Sequence, residues 1–138
     1  MTTQPRGALI PCSQPGVSRF DVICQPHLVD TVLDLIARWA DDRALSQNGR
    51  RKLAYLMGAA VEHGTRFAPR ALTVFVRWVD VERIRVDLRW YGCADAACRE
   101  QPAHGLAGTI STLDALAVEW GLGHTGGAWI QWIVADVA

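Results

Sequence analysis

Net charge is the first thing this chain lacks. Lys+Arg and Asp+Glu both total 14 over 138 residues. No overall basic field exists to attract a phosphate backbone, so a direct nucleic-acid partner is not expected. Lysine is nearly absent: Lys52 is the only one, and arginine carries the rest of the positive charge. Phe and Tyr are scarce, at 3 and 2, against 6 Trp, which places most of the aromatic volume at Trp39, Trp78, Trp90, Trp120, Trp129 and Trp132. No run approaches the roughly 20 apolar residues of a membrane-spanning helix, so no membrane partner is expected. Residues 1–17 hold Pro5, Pro11 and Pro15 and no apolar core segment. They read as an irregular leader and not as a signal peptide. A cytoplasmic location follows as the expectation, with Cys12, Cys24, Cys93 and Cys98 as reduced thiols.

What is present suits one globular domain. Half the residues are hydrophobic and a fifth are charged, enough apolar surface for a single core over residues 18–138. Residues 18–25 alternate and predict a strand. Leu28, Val32, Leu35 and Trp39 form an apolar stripe and predict a helix over 27–42. Ser46 is a suitable N-cap for a second helix over 46–63, and Gly64 suits a left-handed helix end. Residues 71–79 are apolar throughout. Residues 83–91 alternate, with Ile84, Val86, Leu88 and Trp90 against Arg83, Arg85, Asp87 and Arg89, so these two segments predict a hairpin with one solvated face. Residues 92–108 predict a long loop. Ile110, Leu113, Leu116 and Ala117 predict a helix over 109–120, the glycines of 121–127 a turn, and 128–137 a last strand. The order implies a two-layer α/β sandwich: a mixed, mostly antiparallel sheet of four to five strands with three helices on one face.

Three segments carry a family resemblance. Tyr55-Leu-Met-Gly-Ala-Ala-Val-Glu-His-Gly64 is similar to the E-L-V-T-N-A-V-R-H-G helix of the GHKL (Bergerat-fold) ATPases. Leu113-Asp-Ala-Leu-Ala117, followed by Glu119-Trp-Gly121, is similar to V-D-A-L-A-x-x-W-G of the same family. Gly126-Gly127 precedes a Trp-containing strand in both. The chain most resembles the short anti-sigma-factor serine kinases and related regulators, over about residues 18–136.

The same resemblance shows where the chemistry departs. The family's general-base Glu and Mg²⁺-holding Asn fall on Tyr55 and Ala59. Tyr is a weak base near neutrality, and Ala has no oxygen for a hard cation. Glu62 is the nearest substitute carboxylate. The adenine-accepting Asp of the family's Asp-x-Gly falls on Trp90, with Gly92 kept. An indole N–H only donates. The phosphate-gripping glycines reduce to Gly105 and Gly108, with Thr109 as a cap for the following helix. Trp90 and Tyr55 are expected to fill or narrow the cleft.

The resemblance therefore implies a non-catalytic regulator without a cofactor. Its partner would be a sigma factor, an anti-anti-sigma protein or a transcription regulator, and homodimers occur among the relatives. Trp129 and Trp132 alternate on the last strand, so one of them is expected at a partner surface. Two other readings stay open. One is an active ATP- and Mg²⁺-dependent serine kinase. The other is a zinc or redox sensor built on Cys93, Cys98 and His104, for which ordinary thiols are the plainer account. His63 is expected to bond the last helix carbonyls, and Arg83, Arg85 and Arg89 to form a solvated ridge.

Overall fold

A computed structural model describes residues 16–93, 106–125 and 127–138. Its elements are β1 (Val17–Ile23), α1 (Leu28–Asp42), α2 (Gln47–Thr65), β2 (Ala71–Trp78), β3 (Arg83–Tyr91), α3 (Leu106–Leu116), β4 (Glu119–Thr125) and β5 (Ala128–Asp136). The five strands form one sheet in the order β1-β2-β3-β5-β4. All four pairings are antiparallel. The three helices cover one face, as the two-layer sandwich expected from the sequence requires.

Strand alternation decides that face. Phe20, Val74, Leu88 and Gln131 lie side by side across β1, β2, β3 and β5 and are all buried. The next rungs add Leu72, Trp90 and Trp129 on one side and Val76, Val86 and Ile133 on the other. Against them pack Val32, Ile36 and Trp39 of α1, Leu53, Leu56, Met57, Ala60 and Val61 of α2, and Leu113 of α3. α2 lies between α1 and α3 in the helical layer and touches β5. Its N-cap is Ser46, whose Oγ accepts from the Gly49 amide at 3.0 Å. That bond satisfies one of the orphan donors at a helix start. Buried polar atoms are also matched at the α1 end: Ser18 Oγ accepts from Trp39 Nε1 at 3.1 Å and from the Arg43 guanidinium at 3.2 Å.

The opposite sheet face carries the arginine ridge. Arg85 binds Asp87 at 3.0 Å and stacks over Trp132 at 4.8 Å. Arg89 stacks over Phe75 at 4.9 Å, and Arg19 over the same ring at 5.5 Å. Arginine stems and aromatic rings cover one another there while the charges stay in water.

Two expectations need correction. The third helix runs from Leu106 to Leu116, not from 109 to 120. Its last bond is Ala117 N to Leu113 O at 2.8 Å, and the next amide, Val118 N, already binds Val134 O at 2.8 Å. The residues expected to be helix end and glycine turn are instead the edge strand β4, paired along its length with β5. Trp120 Nε1 donates to Asp114 Oδ1 at 2.9 Å and holds the chain reversal. The short alternation Trp120, Leu122, His124 was the available signal, and Gly121 and Gly123 concealed it. Glycine inside a strand often marks a close approach from a neighbour. Gly121 is such a case: a Cβ there would stand 2.4 Å from Trp132 Nε1.

Candidate functional site

The positions that the resemblance aligns with ATPase motifs fall on α2, at the end of β3 and on α3. Among them Trp90 is 0% exposed. Its Nε1–H donates to Gln131 Oε1 at 2.8 Å, and Gln131 Nε2 donates to the Ala60 carbonyl at 2.9 Å. The indole, a β5 amide and the α2 backbone are thus joined by two buried hydrogen bonds. Each polar side-chain atom of the Trp90–Gln131 pair has a partner, as a buried polar network requires.

The indole fits only because residue 64 has no side chain. A Cβ at Gly64 would lie 2.2 Å from Trp90 Cζ2. Gly64 is inside α2, which continues to Thr65. The glycine expected to end the helix therefore serves helix-to-sheet contact instead. Gly92 adopts φ +71, and a Cβ there would meet Arg70 at 2.9 Å. It turns the chain out of β3, a backbone role that glycine fills without strain.

Tyr55, Ala59 and Glu62 share one stripe of α2. Tyr55 is 62% exposed and Glu62 is exposed, with Ala59 between them half-buried. The expectation that Tyr55 fills the cleft is corrected: the helix turns it to solvent, because Leu53, Leu56, Met57 and Ala60 take the buried face. Gly108 and Thr109 are the third and fourth residues of α3. Thr109 is buried within the helix and is not its cap. Gly105, Cys98 and His104 lie outside the described residues. Cys93 is half-buried against the core. No group of three or more His, Cys, Asp or Glu residues able to hold a metal occurs among the described residues.

These residues do not fit Mg-ATP in the manner of the family. The position that the resemblance aligns with the family's adenine acceptor holds a buried indole already bonded to Gln131, and the one aligned with its metal-holding residue holds a methyl group.

His63 corrects another expectation. It is 0% exposed, and neither ring nitrogen has a hydrogen-bond partner among the described residues, so it does not bond the helix-end carbonyls. Burial, and to a smaller extent the Arg66 charge, hold its pKa below the ordinary value. Trp129, 3% exposed, packs on it at 5.4 Å and is a core residue, not a partner contact. Trp132 lies half-buried on the outer face.

Two further features were missed. The β2–β3 turn exposes Trp78, Val79 and Val81, at 37%, 47% and 90%. The turn is held by Val79 N to Arg83 O at 2.8 Å, Glu82 N to Asp80 Oδ1 at 2.8 Å and Val137 N to Glu82 O at 2.8 Å. A shallow hollow of about 690 Å³, lined by Ala37, Leu45, Gln47, Arg50, Arg51 and Ala54, lies along the N-terminal half of α2. No helix among the described residues is long and apolar enough to cross a membrane.

No family model matches the chain, and no curated protein matches it. Among solved structures, it is similar to the RsbU and RsbW domains of Rv1364c from Mycobacterium tuberculosis. The TM-score is 0.61 and the identity 11%, over 86% of this chain. The match spans 32% of the length of that chain. At this identity the likeness is one of fold alone.

Proposed function

We propose that this chain is a non-catalytic regulatory module that acts by binding another protein in a sigma-factor or related transcriptional control system. The observation that carries the reading is the buried Trp90–Gln131–Ala60 network at the position where the resembling ATPases need an adenine-accepting carboxylate. An indole with its only donor occupied cannot replace that acceptor. Ala59 has no oxygen to hold a metal, and the exposed Tyr55 offers a phenol where the resembling ATPases have a carboxylate. The motif resemblance and the fold likeness to a protein bearing an RsbW domain point to the regulatory setting. A cytoplasmic location goes with that setting.

Partner binding needs a surface, and the hairpin tip supplies the densest apolar one described. Trp78, Val79 and Val81 fall within four residues on an ordered turn. A preformed apolar projection binds without an ordering cost.

Calorimetry with Mg-ATP at millimolar concentration, together with co-purification from the source cell, tests the proposal. The expected result is no binding heat and a co-purifying regulatory protein, whose capture Val81→Asp reduces at least tenfold without changing the melting temperature. Saturable heat with phosphate transfer to serine would overturn it in favour of the active kinase. Capture unchanged by Val81→Asp would remove the hairpin tip from the proposal.

A further inference from the structure

His63 contains the only buried side-chain nitrogen or oxygen atoms without a hydrogen-bond partner among the described residues. Its ring sits in an aromatic triangle. Phe67 meets it edge-on at 5.5 Å, Trp129 tilts against it at 5.4 Å, and Phe67 and Trp129 are 4.6 Å apart. The triangle ties the end of α2 and the turn after it to β5. A neutral imidazole in this place leaves one donor and one acceptor unmatched, an exception among buried polar groups.

Protonation changes the balance. An imidazolium has two N–H donors and a full charge, and a buried charge without a partner is far more costly than a buried neutral group. The surrounding charges give it no relief. On α2, Arg66 opposes a second positive charge, and Glu62 is exposed at the helix surface. On β5, Trp129 is neutral and the Gln131 amide is already engaged at both ends. On β4, His124 is the cross-strand partner of Trp129 and is exposed. On α3, the Asp114 carboxylate accepts from Trp120. On β3, the neighbouring side chain is the neutral Trp90.

We propose that His63 is a proton-operated latch, whose protonation releases the last turn of α2 and Phe67 from Trp129. At 0% exposure the ring reaches water only if its surroundings move, and this turn carries it. Gly64 follows His63 directly and is the residue on which Trp90 rests. Release of the turn therefore loosens the contact that positions Trp90, and acid opens the place the indole fills.

Amide hydrogen exchange on the full chain at pH 7.5 and 5.5, corrected for intrinsic rates, tests the latch. Wild type is expected to lose protection at residues 60–67 by about tenfold per pH unit below the onset, the limit for one linked proton. The centres of β2 and β3 should keep theirs. His63→Met should keep its protection at 60–67 at both pH values. Equal loss in the variant, or no loss in wild type, overturns the proposal. Should His63→Met fail to fold, the His63 ring resonances of wild type decide: the latch requires titration together with loss of protection at 60–67. Titration with protection intact overturns it.

Discussion

The indole of Trp90 rests on the backbone of Gly64 so closely that a Cβ at residue 64 would stand 2.2 Å from the ring. The same relation recurs on the outer face, where a Cβ at Gly121 would stand 2.4 Å from Trp132 Nε1. The two contacts differ in what can move. Trp90 is enclosed and bonded to Gln131, whereas Trp132 is half-buried and can swing toward solvent.

Gly64→Ala should therefore cost about 3 kcal/mol, at the upper end for overpacking a close-fitting core. Gly121→Ala should cost about 1 kcal/mol, since the clash is relieved by one partly exposed side chain. Urea unfolding of the two variants checks the ranking. Adding Trp90→Phe to Gly64→Ala should recover part of the loss, a non-additivity expected of residues in contact.

Gln131→Leu keeps the side chain's approximate volume and removes both of its bonds. The Trp90 indole N–H and the Ala60 carbonyl are then buried without partners, at about 1–3 kcal/mol for each group. A loss of about 2–6 kcal/mol in urea unfolding is the expected outcome on that basis. A near-neutral variant would mean that the network adds no net stability.

Stability should depend on pH through His63. Burial first, and Arg66 second, lower the folded-state pKa below the ordinary 6.5. Above that value neither state binds the proton, and His63 contributes no slope. As pH falls through 6.5 the unfolded chain takes up a proton that the folded chain refuses, so stability drops. The limiting slope is about 1.4 kcal/mol per pH unit for one proton. Urea melts at pH 7.5, 6.5 and 5.5 should show this decline in wild type and a shallower one in His63→Met.

Cys24 follows the end of β1, and burial pushes its thiol above the ordinary value of 9.0. Little thiolate is then present near neutrality, and thiolate is the reactive form. Iodoacetamide at pH 7.5 should label Cys24 several-fold more slowly in the folded chain than in urea, as followed by peptide mass spectrometry. Rapid labelling of the folded chain would show that its environment does not suppress the thiolate.

The periodicities of residues 27–42, 46–63 and 83–91 determined by themselves where α1, α2 and β3 lie. Burial of an apolar stripe or alternate face is a local property of the chain, and each such segment can satisfy it in one way. Ser46 was legible as a cap because its bond reaches only to Gly49. The hairpin of 71–91 and the side of the sheet that faces water were legible for the same reason. That Tyr55, Ala59 and Trp90 stand where the resembling ATPases carry their motif residues was a reading of the sequence alone.

What those residues do was decided by the tertiary structure. Tyr55 and Trp90 are both large aromatics, yet α2 turns one to solvent and β3 drives the other into the core. Gly64, Gly121 and His63 resembled a helix end, a turn residue and a cap. Their actual roles depend on Trp90, Trp132 and Trp129, which lie on other elements and arrive only when the strands pair and the helices pack. Local sequence specifies which face an element buries. Only the packed layers decide what that face meets, because the partner atoms come from another part of the chain.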